Sequence, residues 1–291
     1  MRSIPSVLLS ASLLAACQFD LSNGVGGAGG VTLDLIGSEG AELNNVVLWV
    51  REVEFRSTDG TTVVGIPEQG ISLFGGPEGV RLLSNEQLPD GDYDRITLRV
   101  ISDPVETLSS VETFSGGLFP LDVAGDRVVV NTDFSLRERQ ARSLVMVLHT
   151  QASVLPNGEP PLFFEWRDSG YAVRGDRAGL MRVTVPYTGG CPDSAGADEV
   201  AVYVFPQGVE PQDIRGNEND PVVSFALAAS DDGTQWEGLS PPLLEGPWRF
   251  AFTCRALNDD PDAIDLGVTD DLRDTVTSAS VDDGLEAFLS F

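Results

Sequence analysis

Glycine or proline interrupts this chain at short intervals, and that spacing constrains the fold more than any other feature. The 291 residues include 31 glycines and 18 prolines. Between them lie short runs that alternate apolar and polar residues, the period of a strand with one buried face. Arg95–Val100 alternates cleanly, with Ile96, Leu98 and Val100 on one side and Arg95, Thr97 and Arg99 on the other. Arg249–Arg255 repeats the pattern, with Phe250, Phe252 and Cys254 on one face. Val200–Phe205 is apolar on both faces, as a strand buried on two sides would be. Further strands are expected at Val31–Leu35, Val46–Phe55, Ile71–Phe74, Val80–Leu83, Val128–Val130, Leu144–Leu148 and Ala287–Phe291. The best candidate for a short helix is Leu136–Ser143. The chain is long enough for two domains with separate cores, and the expected class is all-β, two β-sandwich domains. The boundaries are residues 31–178 and 179–291.

The N-terminus has a different grammar. Arg2 precedes an apolar stretch, Ile4–Leu14, too short to cross a bilayer but of the length of a signal-peptide core. It runs into Leu14-Ala15-Ala16-Cys17, which resembles the lipobox of bacterial lipoproteins. That resemblance implies removal of residues 1–16 and acylation of Cys17, typically with palmitate among the chains. Two or more acyl chains give stable attachment where one gives only marginal binding. Gln18 stands where an aspartate would imply retention at the inner membrane, so the resemblance implies the outer membrane. Residues 17–30 then read as the lipidated cysteine and a flexible tether, with Ser22-Asn23-Gly24-Val25-Gly26-Gly27-Ala28-Gly29-Gly30 at its end.

Two further cysteines remain, Cys191 and Cys254. Outside the cytoplasm they are the pair one disulfide needs. Cys254 points inward on its strand, and closing the loop should contribute ~3–4 kcal/mol.

A local pattern occurs twice. Leu88-Pro89-Asp90-Gly91-Asp92-Tyr93 and Leu243-Leu244-Glu245-Gly246-Pro247-Trp248 each read Leu-x-acid-Gly-x-aromatic, then an alternating strand. Glycine permits the tight turn, and the aromatic packs where the chain joins the sheet. This resembles the lead-in to a strand in prealbumin-like and carboxypeptidase-regulatory-like β-sandwiches. Val46–Phe55, Ile71–Phe74 and Leu88–Val100, in that order, resemble the domain-of-unknown-function family 4382 of bacterial lipoproteins, over about Val31–Asp176. Val200–Phe205, Phe250–Cys254 and Asp259-Asp260-Pro261 resemble the β domain that accompanies it in some members. The family has no established activity, so the resemblance implies architecture and location but no catalytic residues.

Charge narrows the partners. The formal net charge is −27, and all 18 basic residues are arginine. Such a surface repels phosphate backbones, which excludes nucleic acid, and offers no basic patch to anionic lipid headgroups. It reads first as a solvated acidic exterior.

Searching for chemistry, we find one histidine, His149, at the end of an apolar run, without a Gly-x-Ser-x-Gly elbow. A structural role is expected for it, and no enzymatic activity for the chain. No phosphate loop is present; Gly75-Gly76-Pro77-Glu78-Gly79 reads as a turn. Calcium is the metal to consider, because clustered oxygens suit a hard cation. Its candidate ligands are Asp259, Asp260, Asp262 and Asp265, with Asn258, Asp231-Asp232 and Asp270-Asp271 as further acidic or amide groups. None has EF-hand spacing, and a solvated turn reads equally well. Trp166 and Trp236 are the candidate stacking platforms for a glycan, with core packing as the competing reading. The sequence therefore points to a non-enzymatic, lipid-anchored envelope module that binds glycan, protein or other envelope material, with a carbohydrate-binding module and a calcium-stabilised adhesin-like module as alternatives.

Overall fold

The computed structural model describes residues 30–38, 43–74, 79–103, 105, 107–137, 140–158, 163–187, 191 and 199–291. Cys17, Gln18, the signal segment and the tether to Gly29 lie outside the described residues, as does most of the Gly75–Gly79 turn.

The described residues are mostly β-strand, arranged as four sheets. Sheet I is built around Leu43–Ser57, which pairs on one side with Gly60–Ser72 and on the other with Gly91–Val100 and Ser110–Thr113. Sheet II has the order Gly170–Arg174, Arg142–Leu148, Val31–Gly37, Val80–Glu86. Its central pair, Val31–Gly37 and Arg142–Leu148, is parallel. Sheet III is organised on Ala178–Pro186, which pairs antiparallel with Gln235–Leu239 and parallel with Glu286–Ser290. Sheet IV has the order Val223–Ala226, Ala201–Pro206, Gly246–Thr253, Thr277–Val281.

The alternation read from the sequence explains the packing. Ile96, Leu98 and Val100 are fully buried, and with Leu48, Val53 and Phe55 they face Leu33, Leu35, Leu144 and Met146 of sheet II. Sheet II is apolar on its other face too: Ile36, Val145, Val147 and Val173 pack against Met181, Val183, Val202, Val204 and Phe250 of sheets III and IV. The Leu144–Leu148 run is uninterrupted in hydrophobicity because both its faces are covered, the pattern of a buried parallel strand. Sheet II is therefore a wall shared by both halves of the molecule. Sheet IV is likewise covered on both faces. Its second face, Tyr203, Phe205 and Ala251, is closed by Val268 and Leu272 of the helix Leu266–Thr275.

Two secondary-structure expectations are corrected. Leu136 ends the strand Arg127–Leu136, and Arg142 begins the strand Arg142–Leu148, so 136–143 is no helix among its described residues. The arginines that suggested a helix bind strand ends instead: Arg137 donates to Asp92 and Arg142 to the Ser135 carbonyl. The longest helix among the described residues is Leu266–Thr275, where the acidic run Asp270-Asp271 reads as loop in the sequence; only Val268, Thr269 and Leu272 of it are buried.

The two Leu-x-acid-Gly-x-aromatic segments fold alike. The Tyr93 hydroxyl donates to the Pro89 carbonyl at 2.6 Å, and Trp248 Nε1 donates to the Leu244 carbonyl at 2.8 Å. Each bond runs four residues back, so each aromatic pins the turn that precedes its own strand. Tyr93 also stacks on Phe134, with ring centroids 4.9 Å apart, and meets Phe55 edge-on.

Candidate functional site: a polar relay at the junction of the two halves

A set of buried polar side chains converges where the first half meets sheet IV. His149 leaves the buried strand of sheet II and opens the short helix Thr150–Ser153, which carries Gln151. Sheet IV supplies Ser224 and Tyr203, and the loop after Gly246–Thr253 supplies Asp259.

These groups form one directional chain. The Tyr203 hydroxyl donates to Asp259 Oδ2 at 2.6 Å. Gln151 Nε2 donates to the Tyr203 oxygen at 3.2 Å, and its Oε1 accepts from the Ser224 hydroxyl at 2.9 Å. The single Ser224 proton is thereby used, so the 2.8 Å contact with His149 Nε2 has the imidazole as donor. Every member is buried. Burial holds the His149 pKa down to about 3, so the ring is neutral.

The histidine–serine contact has the distance of a catalytic pair but not its chemistry. A general base accepts the serine proton; here the imidazole donates and the serine proton goes to an amide. Both His149 and Ser224 have zero solvent exposure, so no substrate reaches either. The relay instead ties side chains from opposite halves into one buried network, worth more intact than as separate bonds.

At its far end lies an acidic cluster. Carboxylate oxygens of Asp213, Asp259 and Asp265 lie within 4.8 Å of one another. Asp213 is fully buried and paired with Arg215. It also accepts from Thr269 Oγ1 at 2.6 Å and from the Asp265 backbone N–H, tying the start of the helix Leu266–Thr275 to the Asp213 loop. Asp259 accepts the Ile214 N–H at 3.2 Å besides the Tyr203 hydroxyl. Burial raises its pKa to about 7, with the neighbouring Asp213 and Asp265 charges adding to the rise. Among the described residues no salt bridge reaches Asp259 or Asp265.

Of the four aspartates read from the sequence as calcium candidates, the fold brings Asp259 and Asp265 together. Asp260 and Asp262 are exposed and stand outside the cluster; Asp262 pairs instead with Arg167 at 3.4 Å. Asp213, the third member, lies 46 positions before Asp259 in sequence, and no local spacing marks it. The exposed Asp231 and Asp270 are likewise outside it.

The tryptophans are corrected. Trp166 is 7% exposed and Trp236 3%, so neither offers a free ring face to a sugar. Trp236 packs on Tyr187 and donates to the Cys191 carbonyl at 3.3 Å; Trp166 donates to Asp168 at 3.1 Å. Both rings serve the core, the competing reading of the sequence. Cys191 and Cys254 form a disulfide, closing a loop across 63 positions. No described helix is long and apolar enough to cross a membrane.

No family model matches the chain, and no curated protein matches it. Among solved structures, a leucine-rich repeat protein from Bacteroides thetaiotaomicron aligns at 10% identity over 91% of this chain, with a TM-score of 0.19. This chain spans only 26% of that protein's length. A candidate adhesin from Bacteroides ovatus aligns at 10% identity over 90% of this chain and 89% of its own, with a TM-score of 0.19. The fimbrial anchor protein Mfa2 from Porphyromonas gingivalis aligns at 10% identity over 80% of each chain, with a TM-score of 0.17. Scores this low carry neither fold nor function to this chain.

Proposed function

We propose that this chain is a non-enzymatic binding or structural module of the bacterial cell envelope, held to the outer membrane by lipid on Cys17. The observation that carries the non-enzymatic reading is the state of its one histidine: buried, neutral and donating within a relay that fastens the two halves. The lipid anchor rests on the Leu14-Ala15-Ala16-Cys17 motif and on the tether after it. The paired Cys191 and Cys254 support export, because disulfides persist in oxidising compartments. Envelope glycan or protein is the partner class this location offers. Palmitate labelling in a Gram-negative host tests the anchor. Wild type should take up label and Cys17→Ser should not; an unlabelled wild type, or equal labelling of both, overturns it.

A second reading is favoured by one feature of the acidic cluster. Arg215 compensates Asp213, but Asp259 and Asp265 have no cationic partner among the described residues. A buried carboxylate needs a proton or a cation beside it. Calcium held by Asp213, Asp259 and Asp265 would supply the cation and stiffen the junction. Melting curves in calcium and in EDTA decide: a higher midpoint with calcium, abolished in Asp265→Asn, supports it, and superimposed curves rule it out.

A further inference from the structure

The strand Glu286–Ser290 is the edge of sheet III, and it is unusually bare. Among the described residues its only ladder partner is Ala178–Pro186. The Leu180 N–H bonds the Leu285 carbonyl, and the Phe291 N–H bonds the Thr184 carbonyl, so odd-numbered residues turn their backbone inward. The N–H and C=O groups of Glu286, Phe288 and Ser290 therefore face away from the sheet. Side chains follow the same alternation: Ala287, Leu289 and Phe291 pack on the core of sheets III and IV, while Phe288 stands 75% exposed. Leu285, just before the strand, is 60% exposed.

Other edges of the molecule are blunted. Gly60–Ser72 carries Pro67 and Glu68 along its free side of sheet I. The edge of Arg127–Leu136 is capped, with Asp168 accepting the Val129 N–H at 3.0 Å and Arg142 donating to the Ser135 carbonyl at 3.1 Å. Thr277–Val281 presents threonine, serine and alanine. The 286–290 edge has no proline, and its one charge, Glu286, is paired with Arg182 on the adjacent strand.

We propose that Glu286–Ser290 pairs antiparallel with the same strand of a second copy of this chain, joining two sheets III across a two-fold axis centred on Phe288. The sequence suits this partner. Antiparallel pairing about Phe288 sets Glu286 opposite Ser290 of the other copy, so no like charges face each other. Phe288 falls opposite itself, an aromatic cross-strand pair. All three outward residues fall at hydrogen-bonded positions, so each outward N–H and C=O finds a partner. A two-fold axis requires one self-complementary patch of this kind. The ladder is short, which makes the dimer weak and transient. The net charge of −27 on each copy opposes it, so salt strengthens it by screening.

The test is the mass of the full chain, purified in detergent, by light scattering over a concentration series at low and high salt. The protein mass should rise toward that of a dimer, further at high salt. Phe288→Asp places like charges opposite each other and should weaken association by about tenfold or more, with an unchanged melting midpoint because the side chain is exposed. Phe288→Cys should cross-link to itself under mild oxidation, since hydrogen-bonded antiparallel pairs hold their Cα atoms within disulfide range. Phe114→Cys, 57% exposed at a hairpin tip, is the control and should not. A wild type monomeric at every concentration, association untouched by Phe288→Asp, or Phe288→Cys linking no faster than Phe114→Cys each overturns the proposal.

Discussion

The core between sheets I and II and the core between sheets III and IV are built on different terms. The buried side chains of the first all come from residues 31–166, aliphatic and aromatic groups centred on Phe55, Tyr93 and Phe134. The second includes Ile36, Val145, Val147 and Val173, which belong to sheet II. It also uses the Cys191–Cys254 disulfide, and beside it runs the polar relay to Asp259. The first half closes around its own sequence; the second half is completed by a surface of the first. A chain can thus read as two domains and still unfold as a coupled pair, because the shared wall makes each half a ligand of the other.

The most damaging way to break this asymmetry is at the wall. Val147 is fully buried and faces sheets III and IV. Val147→Asp buries an unpaired charge there and should cost at least ~3–5 kcal/mol. Hydrogen exchange should then show sheets III and IV losing protection first while Ile96 and Leu98 stay protected. Equal loss in both halves would mean the first half is not self-sufficient. Next in size is the disulfide. Replacing Cys191 and Cys254 by alanine frees a loop of 63 positions, for a loss of about 4 kcal/mol by chain entropy. The loss should be read in denaturant unfolding of the second half; an equal shift in the first half would dissolve the distinction.

The smallest effect sharpens the comparison by pH. Asp259 titrates near 7 in the folded chain and near 3.9 when unfolded. Between those values the folded state holds the proton that the unfolded state has lost, so Asp259's contribution is full below pH 4 and lost as pH rises through about 7. His149 acts oppositely: with a folded pKa of about 3, it costs stability as pH falls below about 6.5. Asp259→Asn should remove the Asp259 slope, so its melting midpoint relative to wild type should rise from pH 5 to pH 8. A parallel pair of curves would show that Asp259 does not hold the proton.

Much of the architecture was legible in the residues. Strict alternation marked Arg95–Val100, and two-sided hydrophobicity marked Val200–Phe205, because period and burial are local properties of a strand. Leu144–Leu148 reads from its sequence only as one more strand; that both its faces are covered is a tertiary fact, because what covers the second face belongs to residues far away in sequence. The helix Leu266–Thr275 escaped notice because its inner stripe is only Val268, Thr269 and Leu272 within an acidic run. The arginine-rich 136–143 segment misled in the other direction: good helix formers there serve as ties to strand carbonyls and carboxylates. In the acidic cluster, Asp259 and Asp265 stood out by local density. Asp213 did not, since only tertiary folding brings its loop to theirs.

The position of Val31–Gly37 has a mechanical consequence. It is the first described strand, entered from Gly30, whose carbonyl accepts the Arg142 N–H. It lies inside sheet II, bonded to Arg142–Leu148 on one side and Val80–Glu86 on the other. A pull arriving along the chain before residue 30 would load this strand lengthwise, in shear against both neighbours at once, and would have to break many bonds together instead of peeling them singly. Tugging from that side is thus met by a strand interior to sheet II, one that gives side chains to both cores.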